Sequence, residues 1–220
     1  MLFARQKSQD DTVVKMLASA LRRDISFGVL RPDQKLKIEA LRQNYGGSNH
    51  SMRETLRILV AEGMVEAVNQ RGFRVTSATS EDQADILQMR LDLEQLGLIR
   101  SLNAGGVDWE AAVIAAQHRL SHADMHVQNT PDDTTTLAWD EACKAFSESL
   151  ISACGSPRLI DTMGRIYNQS RRFRLALLRE GRIDFNARAK RHDALKNAIV
   201  TRDTKTALSL QEADIRADMS

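Results

Sequence analysis

Apolar residues recur at steps of three and four along most of the chain, which is the spacing of amphipathic helices. In the first part of the chain this pattern predicts helices over residues 11–28, 37–45 and 50–63. Asp11 is expected to cap the first helix, and Ser48 to cap the third. Two consecutive glycines interrupt the pattern after residue 45, so a tight turn is expected to join the second and third helices.

The pattern changes after residue 63. Two short β-prone runs, Met64–Val68 and Phe73–Thr76, flank the sequence Asn-Gln-Arg-Gly, which predicts a β-hairpin. Two short helices joined by a glycine turn form a helix-turn-helix, and a hairpin that follows it is a wing. Residues 11–77 are therefore predicted to form a winged helix-turn-helix domain that binds DNA.

The third helix carries the side chains that such a domain uses. A recognition helix enters the major groove with its first residues, and Ser, Asn and Arg bond phosphates and base edges. The expected DNA contacts are Ser48, Asn49, His50, Ser51, Arg53 and Arg57 on this helix, and Arg71 and Gly72 in the wing. The alternative is a small structural helical domain whose charged side chains are merely solvated.

The charge distribution favours DNA over this alternative. The chain has a formal net charge of +2. Residues 1–77 carry 13 Lys and Arg against 8 Asp and Glu, whereas the remainder carries 18 against 21. A basic first part and a mildly acidic second part suggest two domains with different partners, the first of them a polyanion.

From residue 80 onward the periodicity is helical throughout. Six helices are predicted, over residues 80–104, 108–128, 134–154, 156–180, 184–202 and 204–219. Aromatic residues make up only 5% of the chain and prolines number only three, which argues against a β-sandwich. The predicted fold class is mostly α: an N-terminal winged helix-turn-helix with a small β-wing, then, over residues 80–219, an antiparallel bundle of about six helices.

The segments FGVLRPDQKL and SMRETLRILVAEGMVEAVNQRGFRV resemble the winged-helix domain of GntR-type bacterial transcription regulators. The matching residues include Gly28, Pro32, Leu36, Ser48, Arg53, Glu54, Gly63, Arg71 and Gly72. Asn49 stands where the family usually has a DNA-contacting Arg, Ser51 where it often has Pro, and Asp33 where it has a turn Gly. Because Asn prefers adenine where Arg prefers guanine, the departure at position 49 affects the operator sequence rather than the fold.

The second part resembles the ligand-binding helical domain of the FadR subgroup of these regulators. The resemblance lies in MRLDLEQLGLIRSL, KAFSESLISACGSPRLI and RHDALKNAIVTRDTKTAL. It implies a homodimer that binds a palindromic operator, with a small, carboxylate-bearing effector held in residues 80–219. It also implies a repressor that the effector releases from DNA.

Many members of this subgroup hold a divalent metal with Asp-x-x-x-His on one helix and two later histidines. On this chain those positions fall at Cys143, Ser147, His192 and Asp214, so one histidine of the usual three remains. We therefore expect a cavity that binds its effector without a metal or other cofactor. The alternative is a metal-sensing regulator in which Cys143, His192 and Asp214 hold zinc or nickel.

Two arginines complete the expected effector site, Arg90 and Arg165. Arg90 lies beside the apolar stripe of its helix and is expected to point inward, where a guanidinium can hold a carboxylate bidentately. Most other arginines of this part are expected at the exterior. His118, His122 and His126 repeat every four residues, which we interpret as a solvated face rather than a metal site.

The sequence argues against an enzyme and against export. It contains no glycine-rich phosphate loop and no G-x-S-x-G motif. Cys143 with His192 could form a thiolate nucleophile, but no oxyanion hole accompanies the pair. No stretch approaches the roughly 20 apolar residues of a membrane span, the first residues lack an apolar signal core, and two cysteines make no disulfide framework. The expected location is the cytoplasm, without a membrane partner.

Overall fold

The structure is a computed structural model that describes residues 2–68 and 72–219. The chain divides into two compact units, a winged-helix unit up to Asp82 and a helical unit from Gln83 onward. The first unit contains α1 (Leu2–Ser26), β1 (Lys35–Leu36), α2 (Ile38–Tyr45), α3 (Asn49–Ala61), β2 (Val65–Val68) and β3 (Gly72–Val75). After these come α4 (Ser80–Ala104), α5 (Val107–Asn129), α6 (Asp133–Ile151), α7 (Pro157–Arg179), α8 (Phe185–Val200) and α9 (Thr204–Ala217).

The first helix is longer than its apolar pattern predicts. α1 begins at Leu2, nine residues before Asp11, so the prediction that Asp11 caps this helix is wrong. No glycine or proline interrupts residues 2–10, and helix propagation adds a hydrogen bond per residue once a nucleus exists. α1 ends at Ser26, and Gly28 follows with a φ of 71°.

The hairpin is confirmed, and a third strand joins it. β2 and β3 pair antiparallel from Val65 opposite Val75 to Val68 opposite Gly72. β1, a segment for which the sequence predicts only a turn, pairs antiparallel with the other side of β3, so the strand order is β1-β3-β2. A two-residue strand is too short to show a periodicity in the sequence. β1 forms because β3 offers a free edge.

The core of the winged-helix unit lies where α1 and α3 pack against each other. Leu21, Met52, Leu56 and Leu59 are fully buried there. Leu17 and Ile25 of α1 belong to the same core. Its other members come from α2, the strands and the connecting turns, and include Leu30, Leu36, Leu41, Met64, Val65 and Val75. This packing fixes α3 on one side and leaves its other side exposed.

The helical unit has the six helices that its sequence predicts, each within three residues of the expected bounds. Four of them begin at a side chain that caps the helix by accepting a hydrogen bond from the backbone N–H three residues on, namely Asp132, Ser156, Asp184 and Asp203. α5 packs against α6 and α8, α6 against α7, and α8 against α9. α4 passes close to Ile151 at Gly97, where a Cβ would lie 2.6 Å from the Ile151 side chain.

Among the described residues, no strand occurs after Val75. No helix within residues 2–68 and 72–219 is long and apolar enough to cross a membrane.

Candidate nucleic-acid interface and ligand cavity

The start of α3 is built from two serines. The Ser48 hydroxyl accepts a hydrogen bond from the Ser51 backbone N–H at 3.0 Å, and the Ser51 hydroxyl accepts one from the Ser48 N–H at 2.8 Å. This reciprocal pair satisfies two backbone donors that a helix start otherwise leaves open. Gly47 precedes it with a φ of 80°, and a Cβ there would lie 2.9 Å from Leu17 Cδ1 on α1.

Ser51 is therefore not placed as a DNA contact. Its side chain is buried, and its hydroxyl is committed to the cap. Ser48 caps the helix as predicted and is itself exposed. Ser51 was predicted as a DNA contact because it lies near the start of the helix. Proximity to the helix start does not distinguish the inward side of the first turn from the outward side.

The exposed face of α3 carries a row of polar side chains. Asn49, Arg53 and Arg57 follow one another at steps of four, so they lie on one side of the helix, and all three are exposed. His50 is also exposed, in the first turn. Arg57 forms an ion pair with Glu54 one turn earlier.

Arg42 belongs to the same surface, although it was not among the predicted DNA contacts. From α2 its Nη1 donates to Asn49 Oδ1 at 3.3 Å, and its Nε donates to the Gly47 carbonyl at 3.2 Å. The side chain is exposed and adds a positive charge at the start of α3. Only the packing of α2 against α3 brings it there, so spacing within one helix could not reveal it.

The wing lies next in the chain and presents further charge. Arg74 on β3 is exposed; its Nε donates to Glu66 at 2.8 Å, and its Nη1 lies 3.7 Å from Asp33. Gly72 is exposed, has a φ of 91° and has no atom within 4 Å of the place a Cβ would occupy. Arg71, predicted as a DNA contact, lies outside the described residues.

Side-chain bonds to α1 hold the far end of α3 and the end of α2. Arg22 donates to both carboxylate oxygens of Glu62, at 2.7 and 2.9 Å, a bidentate pair at the end of α3. The Tyr45 hydroxyl donates to Asp24 at 2.6 Å, and burial together with this carboxylate raises the pKa of Tyr45. The exposed row on α3 is thus carried by a helix whose far end is bonded to α1.

The helical unit encloses a cavity between α4, α6, α7, α8 and α9. Its lining comprises Arg90, Glu94, Cys143, Phe146, Ser147, Leu150, Tyr167, Arg188, Leu195, Gln211, Asp214, Ile215 and Asp218. The space open to the centre of a water molecule is about 10 Å³, room for about one water. The cavity is thus polar and nearly filled by the side chains that line it.

Arg90 points into this cavity, as the sequence predicts. It is buried, and its Nε donates to Glu94 Oε1 at 2.6 Å, one turn along α4. The Ser147 hydroxyl donates to the other Glu94 oxygen at 2.5 Å. The Tyr167 ring packs against two guanidinium groups, with the Arg90 and Arg174 carbons at 4.5 and 4.3 Å from its centroid.

Arg188 is the second guanidinium of the cavity. Its Nη1 donates to Asp218 Oδ1 at 2.7 Å, and its Nη2 donates to the Cys143 sulfur at 3.2 Å. Its Nε lies 3.8 Å from Asp124 on α5. Burial raises the pKa of Cys143, so this thiol stays protonated at neutral pH.

His192 lies behind the lining rather than on it. Its Nε2 is 3.0 Å from Asp214 Oδ1, which also accepts from Arg191 Nε at 2.9 Å. Its ring packs on Phe146 at 4.9 Å between centroids. Burial alone would raise the pKa of Asp214, but attraction to His192 and Arg188 and the hydrogen bonds lower it below the usual range.

Three buried polar atoms of the lining have no hydrogen-bond partner among the described residues. They are Arg90 Nη1, Arg188 Nε and Gln211 Oε1. Each of these side chains is no more than 3% exposed. A buried donor or acceptor without a partner is costly, so such atoms in a cavity indicate where a ligand would bond.

The cavity gathers Arg90, Cys143, Ser147 and Asp214 of the six predicted effector residues. Arg165 is exposed on α7 and does not line it. Arg188 and Asp218 were not among the predicted effector residues, although each lies four residues along the chain from one of them, His192 and Asp214 respectively.

Three arginines, Arg171, Arg174 and Arg188, are exceptions to the expectation that most others of this part lie outside. Arg90, Arg171, Arg174 and Arg188 are all buried. Arg171 and Arg174 on α7 both bind Asp140 on α6, the latter through Nε at 2.9 Å. These partners lie some thirty residues apart in the chain, so helical spacing could not predict their pairing.

The residues at the metal positions do not fit a divalent cation. The Cys143 sulfur accepts a hydrogen bond from the Arg188 guanidinium, whose positive charge repels a metal. In the chain outside the undescribed positions 1, 69–71 and 220, no three His, Cys, Asp or Glu residues are grouped to hold one. His118, His122 and His126 are exposed along α5, consistent with a solvated face.

A winged helix-turn-helix with an exposed polar row on its third helix, followed by a helical unit with a polar cavity, defines a class of ligand-responsive transcription regulator. The model of the bacterial regulatory proteins of the gntR family matches residues 14–75, and that of the FCD domain matches residues 85–217. The chain belongs to the GntR family, with an FCD effector-binding domain.

Two relatives align over most of their length. The uncharacterized HTH-type transcriptional regulator BphR of Paraburkholderia xenovorans (strain LB400) is 32% identical over 209 residues, 95% of this chain and 84% of BphR. The HTH-type transcriptional repressor GlaR of Escherichia coli (strain K12) is 32% identical over 193 residues, 86% of each chain. Among solved structures, E. coli McbR/YncC superposes with a TM-score of 0.70 over 93% of both chains at 16% identity, which supports the fold.

Proposed function

We propose that this regulator is a cytoplasmic repressor that binds a palindromic operator as a homodimer and leaves it when a small carboxylate occupies the helical unit. The observation that carries the proposal is the exposed row of Asn49, Arg53 and Arg57 on α3. The repressor role is supported by the similarity to GlaR, which is named a transcriptional repressor. Both curated relatives described above are named transcriptional regulators, which supports a role without catalysis.

The proposed roles on DNA follow from position along α3 and the wing. Asn49 and Arg53, in the first two turns, read base edges, Asn49 with a preference for adenine. Ser48, His50 and Arg57 bond phosphates beside them. In the wing, Arg71 and Gly72 approach the backbone closely, since Gly72 carries no side chain.

The helical unit, residues 80–219 in our proposal, binds the effector and dimerises. Arg90 and Arg188 are the cationic groups of the cavity, and they favour a carboxylate as ligand. Ser147, Cys143 and Asp214 line the same space, and His192 orients Asp214 from behind. No metal takes part, because the residues at the family's metal positions do not fit one.

The proposal is tested by measuring the affinity of the purified full chain for the DNA upstream of its own gene, by fluorescence anisotropy over a range of salt concentrations. Wild type should bind with a steep salt dependence, since phosphate neutralisation releases counterions. Arg53→Ala should weaken binding by about 1–3 kcal/mol and lessen sequence discrimination, because its contact reads base edges.

Arg165→Ala is the matched control. It removes the same charge from an exposed site on α7 and should leave the affinity for DNA unchanged. Failure of wild type to prefer its upstream DNA over unrelated DNA would falsify the proposed function. Equal affinity of the Arg53 variant and wild type would remove Arg53 from the interface.

A further inference from the structure

A carboxylate of the protein itself occupies the arginines of the cavity. Asp218, in the turn that follows α9, accepts from Arg188 Nη1 at 2.7 Å, and its other oxygen lies 3.7 Å from Arg90 Nη1. All three side chains are at most 5% exposed. Each guanidinium still has one nitrogen without a hydrogen-bond partner, Arg90 Nη1 and Arg188 Nε. Arg90 Nη1, which faces Asp218, can therefore bond more carboxylate oxygen than Asp218 supplies, whereas Arg188 Nε lies toward Asp124 on α5.

A ligand enters this cavity only by moving something out. The cavity has room for about one water, which is less than any carboxylic acid needs. Its other two carboxylates lie within helices and have further partners: Glu94 on α4 binds Arg90 and Ser147, and Asp214 on α9 binds Arg191 and His192. Asp218 alone lies past the end of its helix, so it is the group that can leave with the least rearrangement.

The charge of the cavity determines which chemical group can replace Asp218. Removing Asp218 without an anion to replace it would leave two buried guanidinium groups short of negative charge, which is strongly unfavourable. Exchange of one carboxylate for another keeps the charge of the cavity constant. The site thus selects an anionic ligand that presents a carboxylate to Arg90 and Arg188.

The turn that carries Asp218 is bonded to the start of α4. The Gln83 side-chain amide donates to the Met219 carbonyl, and the Met219 side chain is buried. Gln83 directly follows Asp82, which accepts hydrogen bonds from Ser77 Oγ at 2.5 Å and from the Thr79 N–H at 2.9 Å. The contact of the turn therefore falls at the point of the chain where the segment after the wing enters the helical unit.

We infer that Asp218 is an internal competitor of the effector: the effector carboxylate takes its place on Arg90 and Arg188, and the displaced turn releases Gln83 at the start of α4. This inference rests on the proposed function, since it specifies how the effector enters its site. The signal then passes along the chain through the first turn of α4 to the segment that leads to the wing.

The inference is tested with the full-length Asp218→Ala variant, which opens a carboxylate-sized space, and acetate as the probe. Unfolding is followed by tryptophan fluorescence, because both tryptophans, Trp109 and Trp139, lie in the helical unit. Asp218→Ala should unfold at a lower Tm than wild type, and acetate should raise its Tm by about 3 °C or more at saturation. Acetamide at equal concentration and constant ionic strength should not raise it.

Glu212→Ala is the matched control, because it removes an exposed carboxylate from α9 that pairs only with Arg216 among the described contacts. Its Tm, like that of wild type, should not respond specifically to acetate. An acetate effect that is absent from Asp218→Ala, or equal in all three proteins, overturns the inference. If Asp218→Ala or the milder Asp218→Ser folds only when acetate is present, this recovery supports the inference. If neither variant folds even with acetate, the inference is refuted.

The link to α4 is tested by hydrogen exchange over residues 80–90. Exchange there should be faster in Asp218→Ala than in wild type and should stay fast when acetate is added, because acetate fills the anion site without returning the turn to Gln83. Wild-type exchange rates in the variant would refute the link. Operator binding by wild type is measured separately, so a failure of the proposed function is distinguished from a failure of this inference.

Discussion

At the scale of single residues, Asp214 shows how the charges of the helical unit depend on one another. Its carboxylate is bonded by Arg191 and His192 and attracted by Arg188, while Asp124 opposes its charge from α5. The net result is a pKa below the ordinary value of 3.8. A group whose pKa is lower in the folded than in the unfolded state stabilises the fold above its unfolded pKa, and this contribution is lost as pH falls through the folded value.

Asp214→Asn should therefore lower the free energy of unfolding of the helical unit at pH 7 by about 2 kcal/mol, the range of a hydrogen-bonded charge. The difference from wild type should narrow as the pH is lowered below about 4, where the unfolded carboxyl takes up its proton. Urea unfolding followed by tryptophan fluorescence measures both effects. Glu212→Gln changes an exposed residue of the same helix and should show neither effect. A stability difference between Asp214→Asn and wild type that stays constant with pH would contradict the lowered pKa of Asp214.

Single residues were predictable from the sequence where position along one helix decides their surroundings. Arg90 points inward because it follows the apolar stripe of α4, and Cys143 and Ser147 meet the cavity together because they are one turn apart. Ser51 escaped prediction because the side of the first turn that faces inward is set by packing against α1. Arg171 and Arg174 escaped because their partner Asp140 lies on another helix.

At the scale of elements, the start of α3 depends on the pair of serines that cap it. Ser48 and Ser51 each accept a backbone N–H of the other, and Thr55 continues the pattern by donating to the Ser51 carbonyl at 2.8 Å. Because the first turn of α3 carries Asn49, the cap fixes the geometry of the residues proposed to read DNA.

Ser48→Ala should destabilise the winged-helix unit by about 1 kcal/mol, whereas Ser48→Gly should cost only a few tenths, since glycine serves as a cap through its backbone. Unfolding in urea is measured by far-UV circular dichroism. Because both tryptophans lie in the helical unit, the transition that circular dichroism detects and tryptophan fluorescence does not is that of the winged-helix unit. If both variants lose the same affinity for DNA, the hydroxyl also contacts phosphate. If Ser48→Ala leaves stability unchanged, the cap contributes nothing.

Most elements were predictable because their ends carry local signals. The caps at Asp132, Ser156, Asp184 and Asp203 stand at the helix starts expected from the sequence. β1 was not predictable, because a two-residue strand exists only through its pairing with β3. α1 extends beyond its apolar pattern because no local signal between Leu2 and Asp11 ends the helix.

At the scale of the whole molecule, the proposed homodimer needs an apolar surface. Leu96 and Ile99 on α4 are three residues apart on one face, and they are 41% and 38% exposed. Val107 and Ile114 on α5 are exposed as well. Apolar side chains grouped at a surface are typical of subunit contacts.

The double variant Leu96→Glu/Ile99→Glu should be monomeric, because a dimer would bury four carboxylates at its interface. Light scattering after size-exclusion chromatography measures the mass directly, and affinity for a palindromic operator should fall with the loss of the dimer. Met125→Glu, which alters a more exposed apolar residue on α5, is the control. A double variant that keeps the mass of a dimer would place the contact elsewhere.

The three polar atoms without partners in the cavity bear on how long the protein lasts in a cell. A ligand that completes their hydrogen bonds binds only the folded helical unit, so it shifts the balance away from unfolded chains that proteases degrade. Cells without the metabolite would then hold a shorter-lived regulator, and cells that contain it a longer-lived one. The amount of this protein, as well as its affinity for DNA, would follow the supply of its ligand.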